Sequence, residues 1–224
     1  MPRAASRRRP QPRAVATRDR IVAAALRAFA DHGFDGATTR DIADAAGVPQ
    51  GLIAYHFAGK EALWRAAMDH IFGLLRGSLA ERAAELAEAD ATTRLRLLLR
   101  HFVGFSAAHP ELHRLMIQEG KRDAVRTRWL VETHVRPLYD VTARTLRALQ
   151  RAGLVPRVPL VSLYYVLLGA ACHMFVVAPE CRQLTGVDPL APRMVDAHAN
   201  AIMTLLLHGP TPRPRRRRRP GAGA

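Results

Sequence analysis

The chain has 224 residues, 49% of them hydrophobic, with 34 basic residues against 19 acidic ones and a formal charge of +15. That much apolar chain can bury a large core, so one small and one larger domain fit best. The only cysteines, Cys172 and Cys181, exclude a disulfide framework and a zinc-ligand spacing.

The positive charge is concentrated at the two ends. Residues 1–16 hold five arginines, residues 209–224 hold six, and neither stretch has an acid, so the rest of the chain carries only +4. Met1–Ala16 and Gly209–Ala224 are rich in Arg, Pro, Gly and Ala without an apolar period, and both are expected to be disordered, solvated arms. No apolar segment follows the basic start, so no secretory signal is expected, and the cytoplasm is the expected location.

A first helix is predicted over 17–32, with Ile21, Ala25 and Phe29, flanked by Val22 and Leu26, forming its core stripe. Thr38–Phe57 then reads as two short helices and a tight turn. Thr38 suits an N-cap, with Asp41 three residues on completing an acidic capping box. Ile42, Ala45 and Ala46 are read as one inward face, and Gly47 as the left-handed residue that ends the helix. Val48 turns inward, Pro49 suits the start of a new helix, and Leu52, Ile53 and Phe57 form its apolar side. This is helix-turn-helix patterning, in which the second helix enters the major groove of DNA.

Thr17–Leu63 resembles the DNA-binding head of the TetR family of bacterial transcription regulators. The resemblance is carried by Ile21, Ala25 and Phe29, Gly33-Phe34, Thr38 to Ala43, Ala46-Gly47-Val48, Tyr55-His56-Phe57 and Lys60 to Leu63. It implies an all-α fold: a three-helix head over 17–64 and a larger ligand-binding and dimerisation domain over 65–208. It also implies a DNA-facing set of Thr39 and Arg40 on the second helix and Gln50, Gly51, Tyr55 and His56 on the third. Arg40 has the donors to read a guanine and Gln50 can pair with adenine. Thr39, Tyr55, His56 and Lys60 suit phosphate, which fixes register. Two departures from the family pattern are Ala54, where many members have tyrosine, and Pro49, where a capping serine is commoner. Over 17–61 five basic residues face six acidic ones, so phosphate contacts must come from placement rather than from net charge.

From Lys60 a longer helix is expected toward Gly77, with Leu63, Ala67, Ile71 and Leu74 or Leu75 on one side, linking head to body. The body begins near Thr92 with a helix whose Leu95, Leu98, Leu99, Phe102, Val103 and Phe105 leave little polar face. A short helix follows over 111–119, then a long one over 125–151 with Pro137 as its kink. Leu160–Ala178 is uncharged but contains Ser162, Tyr164, Tyr165, Cys172 and His173 and is closed by prolines, so a membrane span is rejected. Asp188–Leu207 closes the body, with Met194, Ala197, Ala201 and Leu205 read as its core face. These last two helices would expose a large apolar surface, which together with the resemblance implies a homodimer, with Gly169, Ala170 and Ala171 allowing close approach.

His101, Phe105, His113, Met116, Glu119, Trp129, Tyr165 and His173 are expected to converge on a pocket, since the resemblance implies a small organic effector. An uncharged or weakly basic molecule, oriented by Glu119 or a histidine, is the expected ligand. His109 and His113 with Glu111 are the only histidines at helical ligand spacing beside a carboxylate, and no metal or cofactor is expected. With no phosphate loop, nucleophile elbow or paired-carboxylate site, the chain is not read as an enzyme. The resulting expectation is a dimeric repressor released from a palindromic operator in double-stranded DNA by its ligand. The alternative is a constitutive or sequence-tolerant architectural DNA-binding protein.

Overall fold

A computed structural model describes residues 12–121 and 124–207, which form helices with no strand among them. Helix α1 spans Pro12–Gly36, so residues 12–16, expected in the flexible arm, are helical; the rest of both expected arms, 1–11 and 209–224, lies outside the described residues, as does 208. The first helix breaks near its expected end, because Gly33 takes φ 69°. A side chain there would be strained by that backbone and would press on Gln118 Oε1, 3.3 Å from an added Cβ.

Helix α2 (Thr39–Ala46) starts where the Thr38 hydroxyl accepts from the Asp41 N–H at 3.1 Å and donates to its carboxylate at 2.7 Å. It ends at Gly47, φ 63°, whose N–H returns to the Asp44 carbonyl. Its buried residues are Ile42, Ala43 and Ala46; Ala45, expected inside, is exposed. Helix α3 (Gly51–His56) begins later than Pro49, whose carbonyl accepts from Leu52 in the entering turn.

Helix α4 (Lys60–Glu85) outruns its expected end at Gly77 by two turns. Beyond it come α5 (Ala91–Ala108), capped by Asp90 on the Thr92 and Thr93 amides, and α6 (Pro110–Gly120). One continuous core holds the head together and takes in Leu112 and Leu115 of α6 and Leu130, so body and head share buried surface. Helix α6 lies on α1, where Arg114 pairs with Asp31 at 3.0 Å.

The long helix expected over 125–151 is three pieces: α7 (Val125–Leu130), a π turn (Val131–Val135) and α8 (Arg136–Arg151). Pro137 has no N–H to return to the preceding turn, and the Arg136 N–H reaches five residues back to Val131. The chain thus absorbs proline by widening one turn. Widening brings His134 inward against α4: it stacks on Phe72 at 4.7 Å, accepts at Nδ1 from Arg76 at 2.8 Å and faces Asp69 with Nε2 at 3.0 Å. Burial holds this imidazole below its usual pKa, against the opposing pull of Asp69.

Helices α9 (Leu160–Val176), α10 (Ala178–Thr185) and α11 (Pro192–Leu207) complete the body. Among the described residues no single helix is long and apolar enough to cross a membrane, and α10 leaves α9 at 73°. Ala171, Phe175, Ala199 and Ile202 pack with Val103 of α5, and Leu163 and Leu206 with Leu146 and Leu149 of α8. The α11 face expected in the core is the other one: Ala197, Ala201 and Leu205 are exposed, Leu205 to 80%.

Candidate nucleic-acid interface and effector cleft

In the head, the helix-turn-helix geometry sorts side chains cleanly. Ile42, Ala43, Ala46, Val48, Ile53 and Phe57 go into the core, which fixes α2 and α3 against each other. The opposite side carries Arg40, Gln50, Gly51 and Tyr55, all exposed, with Thr39 and His56 half-buried beside them. Tyr55 is 77% exposed and stands edge-on to His56 at 5.0 Å. An aromatic hydroxyl so free of protein partners is a surface feature suited to a ligand rather than to packing. No side chain caps α3; the Leu52 and Ile53 amides are taken instead by the Pro49 and Gln50 carbonyls of the entering turn.

Lys60 is placed differently from its neighbours. Its ammonium donates to the Asp35 carbonyl at 3.3 Å and lies 4.8 Å from the Phe34 ring centre. Arg126 of α7 covers the same ring at 3.8 Å. Two cations, one from each domain, therefore share one aromatic ring at the junction.

The eight residues expected to converge on a pocket do not do so. A cleft of about 500 Å³ opens beside α5, lined by Arg82 at the end of α4, by Leu97, Arg100, His101 and Phe105, and by His109. Only His101 and Phe105 of the expected set reach it. Tyr165, 65% exposed, and His173 point outward from α9. Trp129 is at the seam between head and body, 5.6 Å from Trp64 and covered by Arg65 at 4.8 Å. Met116 packs half-buried against the head core. Glu119 is 3% exposed with Oε2 3.5 Å from Arg126 Nε, an ion-pair contact without a hydrogen bond, and it lies away from the cleft.

His113 is buried in the body as well. Ser106 donates its hydroxyl hydrogen to the Phe102 carbonyl at 2.9 Å, so its oxygen must accept from His113 Nε2, also at 2.9 Å. Burial lowers the His113 pKa to about 4, which keeps the ring neutral. Since His113 is held by Ser106 and His109 by Glu111 at 3.2 Å, those residues are committed to one another in pairs. No cluster of three or more metal-ligating side chains occurs among the described residues. Burial also raises the Cys172 thiol to about 11, so it is an inert core group.

This division, an exposed polar helix pair on a small packed core with a larger helical body attached, is that of a helix-turn-helix regulatory protein. Residues 21–67 match the model of the bacterial regulatory proteins of the tetR family, and residues 92–206 match the tetracyclin repressor-like C-terminal domain. The chain belongs to this family. It is similar to the transcriptional repressor AcnR of Corynebacterium diphtheriae, at 35% identity over 137 residues, 58% of this chain and 63% of the relative. It is also similar to the repressor NicS of Pseudomonas putida, at 27% identity over 137 residues, 61% of this chain and 63% of that protein. The chain thus spans less than two thirds of the length of these relatives. Among solved structures, AibR in complex with isovaleryl coenzyme A and operator DNA shares the fold at TM-score 0.69 and 17% identity, covering 85% of this chain and 98% of AibR. The Bacillus subtilis regulator FadR, in complex with stearoyl-CoA, does so at TM-score 0.63 and 17% identity, covering 86% and 99%.

Proposed function

We propose that this protein is a dimeric, sequence-specific transcriptional regulator without enzymatic activity, acting in the cytoplasm as a repressor that a small organic ligand releases from a palindromic operator. The observation that carries the reading is the exposed row Arg40, Gln50, Gly51 and Tyr55 on a helix pair whose other side is fully packed. Arg40 and Gln50 would read base edges; Thr39, Tyr55 and His56 would hold phosphates. Lys60, already bound to Asp35, would act chiefly by fixing Phe34 and the head. The relatives' names as repressors support the same direction of control.

Dimerisation is supported by the doubled apolar character of α9 and α11. Each buries one face and exposes another: Val161, Tyr165 and Val166 on α9, Ala197, Ala201 and Leu205 on α11. Covering these faces with those of a second copy would remove the patch from water and set two α3 helices for successive major grooves, about 34–36 Å apart.

For ligand control, the cleft beside α5 is the effector site of this proposal. Helix α5 runs directly into α6, which rests on α1, and Arg126 clasps Phe34 next to that contact. A ligand that moves α5 would move α6 against the head and change head spacing, so DNA and ligand would compete through one equilibrium. Footprinting on DNA flanking the protein's own gene tests the reading. A protected palindrome of two half-sites is expected; uniform, sequence-independent coverage would favour the architectural alternative carried by the arginine tails.

A further inference from the structure

The cleft beside α5 has a chemical character that the sequence did not suggest. Its walls are Leu97, Gly104, Phe105 and Ala108, and its polar groups are Arg82, Arg100, His101 and His109; no carboxylate is among the lining residues. Arg82 already holds Glu85 at 2.6 Å and His109 holds Glu111. Arg100 is different: it donates to the neutral amide oxygen of Asn200 at 2.6 Å, and that contact leaves its charge unopposed. His101, one helix position on, has a buried Nε2 with no hydrogen-bond partner. That nitrogen is closed off from the cleft in the observed ring pose, so a ligand oxygen pairs with it as the imidazole turns toward the cleft, and the pairing satisfies a buried polar atom. An uncompensated guanidinium, an unpaired imidazole and an apolar floor select one class of molecule: an apolar chain or ring ending in an anion.

We infer that the effector is an organic carboxylate whose apolar part fills the cleft and whose carboxylate is bound by Arg100 and His101. This rests on the reading of the cleft as the effector site and replaces the expected uncharged or weakly basic molecule, oriented by Glu119 or a histidine, with an anionic one. The volume of about 500 Å³ lies within the range of sites for small organic molecules. Gly104 sits in the wall with nothing within 4 Å of an added Cβ, so a side chain there would enter open space. Gly104→Leu therefore sends a side chain into the cleft from a Cβ that meets nothing, and on a helix it removes a residue of poor propensity.

The test is calorimetric titration of the full chain with three molecules of equal length, decanoate, decanol and decylamine, each below its aggregation limit. Decanoate is expected to bind at least tenfold more tightly than the other two. Arg100→Gln and His101→Phe should each weaken decanoate at least fivefold without changing the affinity for decanol. Gly104→Leu should abolish binding with an unchanged or raised melting temperature. Equal affinity for the three molecules, no binding of any of them, or decanoate binding that survives Gly104→Leu would overturn the inference. Operator release is read separately by fluorescence anisotropy. Decanoate bound in the cleft without release would sustain the anion site and refute ligand control, whereas release by decylamine without decanoate binding would do the reverse.

Discussion

His113 provides a quantitative test of how the body is built. Its ring is buried between α5 and α6, and its one polar contact is the bond to Ser106. In the unfolded chain it titrates near 6.5; in the fold, burial lowers this to about 4. The sign depends on which state takes up the proton. Above pH 6.5 both states are neutral there and the stability is fully present. As pH falls below that value the unfolded chain binds a proton the folded one refuses, so stability drains away until the folded pKa is passed. The difference corresponds to about 3 kcal/mol, at 1.36 kcal/mol per pH unit. His113→Gln keeps an N–H for Ser106 and removes the titration. Urea unfolding at half-unit steps from pH 7.5 to 4 should show the wild type losing about 3 kcal/mol more than the variant, nearly all of it below pH 6.5. His134 and the carboxylates are present in both proteins and cancel in the comparison. Parallel stability curves would refute the claim that His113 is buried neutral.

Four further outcomes are expected. Arg40→Ala should cost on the order of 1–3 kcal/mol at the operator and relax preference at one base pair, measured by anisotropy on operator and random DNA; equal loss on both would make Arg40 a phosphate contact. Lys60→Ala should lower the melting temperature through loss of the Asp35 and Phe34 contacts, whereas a salt slope flattened by about one unit with no thermal effect would return Lys60 to the phosphate role. Arg126→Leu should destabilise by about 3 kcal/mol because it strands the Glu119 carboxylate, and adding Glu119→Leu should recover most of that loss in chemical unfolding. Tyr165→Arg should convert the proposed dimer to monomer in sedimentation and weaken operator binding without unfolding the chain, since its side chain is 65% exposed in the single copy.

The head was legible because its signals are local. The Thr38 cap, Asp41 three residues on and the left-handed Gly47 depend on near neighbours, and each is where the pattern puts it. Ala45 was misplaced for a related reason: alanine is small enough to fit either side of a helix, so its position carries little information. The body was less readable because its helices have two apolar faces. The stripe through Ala197, Ala201 and Leu205 is real, yet Ala199, Ile202, Met203 and Leu206 are the buried set, and periodicity alone does not say which face meets this chain. The cleft failed to appear for a different reason. Polar residues on converging helices suggested a ligand, but Ser106 satisfies His113 and Arg126 faces Glu119, pairings seven residues apart that only the packing reveals. Of the cleft, the sequence pointed only to His101 and Phe105; Arg100 left no mark.

The π turn before Pro137 has a consequence for which changes of length this segment can accept. A π turn is a helix holding one residue too many, and Glu132 and Thr133 within it are exposed. Substitution at either is therefore inexpensive. Deleting one of them would restore a regular ladder and, by ordinary measures, improve the helix. It would also shift the register by one residue, turning α7 by about 100° relative to α8. His134 and Trp129 could then no longer both keep their places against α4, where one meets Phe72 and the other Trp64. The surplus residue is thus a spacer whose loss would mend the backbone locally and unseat the body from α4 beneath it.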